Sequence, residues 1–279
     1  MTKQLTYELI PTDTPLGETI YEMLNELREE HHEDLARARI AIAWNRSWKP
    51  DVDGRMTLGH GVWVTSEDVE AIADAGAHVC HNCSSNLRLR SGIMPLGRYE
   101  RAGVGVAIGI DEAGLNDDRD MLQEMRLVLR LHRAPGFDED EVPTPAQVLR
   151  MATEHGAGTT AFGPLIGRIE VGRRADLVLL DWEEIAHPYL DAETPLVDAI
   201  VQRAKSGAVR TVVVDGEIVF DHGRFTRIDR DAVLAEIAAL LGRPPTPEEC
   251  QRRALSRELV PHVRRFFDAY LPDRQRQDA

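Results

Sequence analysis

The sequence predicts an α/β protein built around a parallel sheet, followed by a small β domain and a helical tail. Three observations lead to this fold class. Short apolar segments of strand length alternate with helical segments between residues 56 and 160, which is typical of βα units. Beyond residue 160 the chain is rich in β-branched runs, and residues 229–273 have the apolar spacing of two helices around a turn at 243–249.

The elements before residue 160 are predicted from periodicity and capping signals. An amphipathic helix over 19–38 and a strand over 38–44 come before a turn-forming segment at 48–55. The elements that follow are a strand at 56–64, a helix at 65–76 that Thr65 or Ser66 caps and Gly76 ends, a strand at 77–82, a helix at 94–103, a strand at 103–111 and a helix at 118–133. In a parallel sheet of this kind, active residues lie at the carboxyl ends of the strands.

The β domain is predicted from two segments, 167–182 and 208–225, in which apolar and polar residues alternate. Asp215 and Gly216 separate two of its runs and predict a tight hairpin turn. These sequence patterns divide the chain into an N-terminal α+β segment at 1–57, βα units at 58–160, the β domain at 161–228 and the helical tail at 229–279.

Composition excludes several classes of function. The formal net charge is −14, and a chain this acidic lacks the clustered Lys and Arg with which proteins bind nucleic acid. No apolar run approaches the roughly 20 residues that span a bilayer, so no membrane partner is expected. Three cysteines and the absence of a signal peptide favour the reducing cytoplasm.

Two residues at predicted strand ends are candidates for chemistry. His60 is followed by Gly61 in an apolar strand pattern, and Asp111 ends the run VGVAIGI, where its carboxylate needs a cation or a hydrogen-bond partner. A different pattern, Cys80-x-x-Cys83, leaves a zinc site and a redox pair open beside a plainer interpretation. In that interpretation the strand ends in a turn made by short polar residues between 82 and 86.

Five blocks of the sequence follow one another at 58–76, 79–111, 116–126, 166–181 and 212–224. In this order and spacing they resemble the C-terminal half of the metal-dependent amidohydrolase superfamily, in its cytosine deaminase, guanine deaminase and chlorohydrolase-like branch. The resemblance implies a partial (β/α)8 barrel of the TIM type containing the last strands only, with part of a small β-sandwich. It also implies hydrolysis of C–N bonds by a metal-activated water on a small-molecule substrate.

The resemblance also assigns roles to individual residues. His60 matches the histidine after the sixth barrel strand, and Asp111 matches the metal-binding, proton-relaying aspartate after the eighth; both are predicted to be catalytic. The residues predicted to contact substrate are His81, Asn86, Glu112 and Asn116. Ser85 also belongs to the strand-seven block, while Cys83 stands where proline is expected and Glu112 where a small residue is usual. The implied cofactor is a divalent metal, with zinc favoured over iron.

Other family features have no counterpart in the sequence. The paired histidines of strand one, the metal histidine of strand five and the nearby glutamate are missing before residue 58, whereas residues 8–57 resemble the opening of phage-type metallopeptidases. An alternative function is therefore a non-catalytic fragment or fusion that lacks most metal ligands. Open strand edges in such a protein predict homo-oligomers.

Overall fold

The computed structural model describes residues 41–43, 53–111, 119–133 and 142–270. The chain forms two compact units, Met1–Thr226 and Arg227–Ala279. The division after Thr226 lies close to the predicted start of the helical tail at residue 229. The predicted helix at 19–38 lies outside the described residues.

A parallel sheet organises the first unit. Its strands, in both chain order and spatial order among the described residues, are β1 (Ala41–Ala43), β2 (Thr57–Gly59), β3 (His78–His81) and β4 (Gly105–Ile108). The register aligns Leu58 with Val79 and Val79 with Val106. The prediction of a parallel sheet is confirmed, and its form agrees with part of a barrel. Strand β1 pairs with β2, so the sheet crosses the predicted boundary at residue 57.

Helices and a π-helical turn follow the strands in this part of the chain. They are α1 (Ser66–Asp74), α2 (Cys83–Arg88), α3 (Leu96–Arg101), α4 (Met121–Leu131), α5 (Pro145–Arg150), a π-helical turn (Met151–His155) and α6 (Gly156–Gly158). Helix α1 begins with a capping box in which Thr65 and Asp68 each satisfy the other's backbone N–H. The chain turns at Gly76, which has a φ of 67°. The predicted start and end of this helix are therefore confirmed.

The core of the first unit lies between the sheet and these helices. Val79 and Val106 of neighbouring strands are buried against apolar side chains of the helices, including Ile72, Tyr99 and Val128. The apolar spacing in α1, α3 and α4 thus faces the sheet, because each helix buries one stripe. This packing fixes the positions of the strand ends.

The β-rich region forms a second, antiparallel sheet. Its strands are β5 (Leu177–Leu180), β6 (Val209–Val214), β7 (Glu217–Asp221) and β8 (Arg224–Phe225), with α7 (Trp182–Ala186), α8 (Leu196–Arg203) and a 3-10 turn (Ser206–Ala208) between β5 and β6. Asp215 and Gly216 have φ values of 50° and 84° in the turn between β6 and β7. A type I′ turn requires positive φ at both positions, so the hairpin prediction is confirmed.

The second unit contains two helices. They are α9 (Arg230–Leu241) and α10 (Pro247–Tyr270), and Asp229 caps the first by accepting from Ala232 N. The two predicted tail helices are confirmed. Of the helices that the structure describes, none has an apolar stretch of the length needed to cross a bilayer.

Two local predictions were wrong. The strand predicted over 56–64 ends at Gly59, because His60 and Gly61 both adopt positive φ and leave the extended conformation. The turn predicted at 82–86 is the start of helix α2, in which Asn86 N donates to Asn82 O. Both differences occur where the sheet ends and the candidate site begins.

Candidate functional site

The carboxyl ends of β2 and β4 bring the two predicted catalytic residues together. His60 follows β2 directly, and Asp111 comes three residues after the end of β4. His60 Nε2 lies 3.7 Å from Asp111 Oδ2, with 35% and 27% of the two side chains exposed. A histidine and a carboxylate thus share one partly open position above the sheet.

Both residues have a backbone conformation that is rare for residues with a side chain. His60 and Asp111 each have a φ of 67°. Left-handed conformations of non-glycine residues cost of order 1–3 kcal/mol and persist where the surrounding structure holds them. Here the next peptide of the β2 segment is held, because Tyr99 Oη donates to Gly61 O at 2.9 Å inside the core.

Helix α2 supplies a hydrogen bond to each member of the pair. Ser85 Oγ donates to Asp111 Oδ2 at 2.6 Å, and Asn86 Oδ1 lies 2.8 Å from His60 Nδ1. Ser85 and Asn86 are 0% and 1% exposed. The pair therefore rests on two buried polar side chains that are adjacent in sequence.

His81, a predicted substrate contact, lies in a different environment. Its side chain is fully buried, and its Nε2 lies 2.9 Å from Nε2 of His132 at the end of α4. Burial lowers the pKa of His81 to about 3, with a smaller contribution from His132, and burial lowers the pKa of His132 to about 4. Both rings are therefore neutral at pH 7.

The predicted substrate contacts have different positions in the structure. His81 and Asn86 present no exposed surface, and Glu112 and Asn116 lie outside the described residues. Direct substrate binding by these four residues stays a prediction. No sequence signal identified Tyr99 or His132 as a partner of strand-end residues, since both are ordinary members of predicted helices.

The Cys80-x-x-Cys83 pattern lacks the chemistry of a zinc or redox site. Both cysteines are free, and Cys83 is buried. Burial raises the pKa of Cys80 to about 11, with a smaller effect of Asp111, and burial raises the pKa of Cys83 to about 12, with a smaller effect of Glu124. Thiolates attack disulfides, so two protonated thiols do not support a redox pair. For zinc, the described residues contain no group of three or more His, Cys, Asp or Glu side chains that could hold an ion.

The described residues do not by themselves make a metal site. Within 53–111, 119–133 and 142–265, no group of three or more His, Cys, Asp or Glu side chains could hold an ion. His60 and Asp111 supply one imidazole and one carboxylate, whereas a catalytic zinc site has three protein ligands. The donor set is of the right chemical type but too small.

Comparisons with known proteins find deaminases among the curated relatives of this chain. The chain is 38% identical over 165 residues to 5-methylthioadenosine/S-adenosylhomocysteine deaminase of Thermococcus onnurineus. This alignment covers 58% of this chain and 37% of the relative. It is 34% identical over 189 residues to 5'-deoxyadenosine deaminase of Methanosarcina barkeri, in an alignment that covers 67% of this chain and 41% of the relative. The chain thus spans about two fifths of the length of these curated relatives.

A solved structure of a deaminase has a fold similar to that of this chain. The crystal structure of an adenosine deaminase from Xanthomonas campestris, with bound zinc, superposes with a TM-score of 0.61 and 31% sequence identity. The superposition covers 66% of this chain and 41% of that chain. The relatives lend no support to the metallopeptidase resemblance of residues 8–57, which stays a prediction.

The family model described as the Amidohydrolase family matches residues 20–219. The match includes the parallel sheet, strands β5 and β6 of the antiparallel sheet and the His60–Asp111 pair, and it extends into the segment before residue 58. The chain belongs to the Amidohydrolase family.

Proposed function

We propose that this chain carries part of the active site of a hydrolase that cleaves a C–N bond, with deamination of an adenosine-type nucleoside as the preferred reaction. The observation that carries the proposal is the His60–Asp111 pair at the carboxyl ends of two parallel strands. Family membership and the deaminases among the relatives support the reaction class.

The proposed roles follow from the chemistry of the two side chains. In deamination, water adds to the carbon that bears the amino group, the C–N bond breaks and ammonia leaves. Asp111 would accept the proton of the attacking water and return it to the departing nitrogen. His60, on the other side of the shared position, would hold the attacking water or the substrate amine by accepting a hydrogen bond at its Nε2 atom.

The metal of this family is part of the proposal for the whole protein. Asp111 would contribute to its site, and further ligands must come from outside the described residues. A divalent ion, with zinc ahead of iron, is the expected cofactor. One carboxylate and one imidazole do not by themselves define a coordination site for this ion.

A non-catalytic role is the second candidate, and the small donor set favours it. A family member without a complete metal site would keep the fold while losing the reaction. In that case His60 and Asp111 would be retained from an ancestral enzyme without a catalytic role, and the chain would bind neither metal nor nucleoside.

The experiment is elemental analysis of the purified full chain together with an ammonia-release assay on adenosine and 5-methylthioadenosine. The variant is Asp111→Asn, and its matched control is Asp74→Asn, at an exposed carboxylate near the end of α1. Bound zinc or iron and ammonia release that Asp111→Asn abolishes and Asp74→Asn retains would support the proposal. A monodisperse chain with neither metal nor ammonia release would overturn it in favour of the non-catalytic role.

A further inference from the structure

The hydrogen bond between His60 and Asn86 bears on which ring nitrogen of His60 carries a proton. Asn86 presents its Oδ1 to His60 Nδ1 at 2.8 Å. An amide oxygen only accepts hydrogen bonds, so Nδ1 must be the protonated nitrogen in this arrangement. In the neutral ring, Nε2 then has a free lone pair and faces Asp111.

The distance on the other side of the ring agrees with this assignment. His60 Nε2 and Asp111 Oδ2 are 3.7 Å apart, which is too long for a hydrogen bond. A protonated Nε2 beside a carboxylate would form a short, charge-assisted bond instead. Two acceptor atoms that face each other leave a gap in which one donor, such as a water molecule or an amino group, can reach both.

Backbone hydrogen bonds hold Asn86 in place within helix α2. Asn86 N donates to Asn82 O, and Ser91 N donates to Asn86 O, each at 2.9 Å. The side chain is 1% exposed, so water does not compete for Oδ1. Ser85, the preceding residue, fixes the Asp111 carboxylate from the same helix.

We propose that Asn86 is a positioning residue that holds His60 as the Nδ1-protonated tautomer, so that the lone pair of Nε2 points toward Asp111 and the substrate. The catalytic meaning of this arrangement rests on the function proposed above. An unprotonated Nε2 can accept a hydrogen bond from a substrate amine or from water, and it cannot donate one. Asn86 would thereby act through His60 rather than by touching substrate.

The test is a long-range 1H–15N correlation spectrum of the full chain with 15N-labelled histidine at mildly alkaline pH. The variant His60→Gln assigns the signals of His60 among the ten histidines. The wild type should show a protonated Nδ1 and an unprotonated Nε2, opposite to the preference of an unconstrained imidazole. An Nε2-protonated ring in the wild type would overturn the proposal without any variant.

Substitutions then test the role of Asn86. Asn86→Leu should reduce the Nδ1-protonated population at least about twofold, whereas Asn86→Asp, which keeps an acceptor, should retain it. Asn82→Leu is the matched control, because Asn82 is a buried amide of the same segment whose Oδ1 accepts from Cys80 Sγ rather than from His60. An unchanged tautomer in folded Asn86→Leu would also overturn the proposal.

This readout is independent of catalysis. If the tautomer and its dependence on Asn86 are as expected while every sample is inactive, the positioning role stands and the proposed hydrolase function fails. If the chain releases ammonia and Asn86→Leu keeps both tautomer and rate, the hydrolase function stands and the positioning role fails.

Discussion

The buried histidine pair predicts that the first compact unit loses stability in mild acid. His81 and His132 have pKa values of about 3 and about 4 in the folded protein, and both have an ordinary value of 6.5. Below pH 6.5 the unfolded state binds more protons at these two histidines than the folded state does. Their contribution to the free energy of unfolding is therefore fully present only above that pH. The stability falls as the pH decreases from about 6.5 toward the folded pKa values.

The size of the loss follows from the same values. At about pH 4.5 an unfolded histidine is almost fully protonated, whereas His81 remains neutral in the folded chain. The linkage relation then gives a loss of about 2–3 kcal/mol for His81 alone, relative to neutral pH. His132 adds a smaller amount because it is only partly buried. Domains typically have a free energy of unfolding of about 5–15 kcal/mol, so a loss of this size would substantially destabilise the folded state.

The assay is urea unfolding of the full chain at several pH values between about 4.5 and 7.5, followed by tryptophan fluorescence. His81→Phe keeps a ring in the core without a titrating group, so its free energy of unfolding should depend less steeply on pH. His187→Gln, at an exposed histidine of the same compact unit, is the control and should keep the wild-type slope. Equal slopes for the wild type and His81→Phe would refute the reasoning.

Two further predictions concern the supports of the site. Gly61→Ala should lower the free energy of unfolding by about 2–4 kcal/mol, because a Cβ at this position would lie 2.7 Å from Tyr99 Oη and the backbone φ is +60°. Gly103→Ala is the control, since Gly103 has a φ of +75° but no atom within 4 Å of an added Cβ. It should lower the free energy of unfolding by only about 1–2 kcal/mol in the same urea titration. Ser85→Ala should cost about 1–3 kcal/mol through its lost bond to Asp111, and a double-mutant cycle with Asp111→Ala that shows no coupling would contradict this.

Local signals predicted most elements of the fold. The capping box of Thr65 and Asp68 and the turn at Asp215 and Gly216 are encoded within two to four residues, so they form as the sequence indicates. The strand ends were less predictable. His60 stands in an apolar run that continues to Val64, and only its positive φ ends β2 at Gly59.

The candidate site was predictable in part. The position of Asp111 at a strand end follows from the apolar run before it, whereas His60 lies within its apolar run; the family resemblance implied roles for both residues. Their supports could not be read from patterns, since a buried Ser85 and a turn-forming Ser85 look the same in a sequence. The same holds for His81, whose burial against His132 separates it from solvent.

The sequence by itself determined the order of strands and helices, the hairpin, the helix caps and the family, because periodicity, capping and motif order are local or linear properties. Only the tertiary structure decided which side chains meet. The bonds from Asn86 to His60 and from Ser85 to Asp111 each join residues 26 positions apart, and the His81–His132 contact joins residues 51 positions apart. Such contacts depend on how the sheet and helices pack, and that packing sets the burial of these side chains and the pKa values of the buried groups.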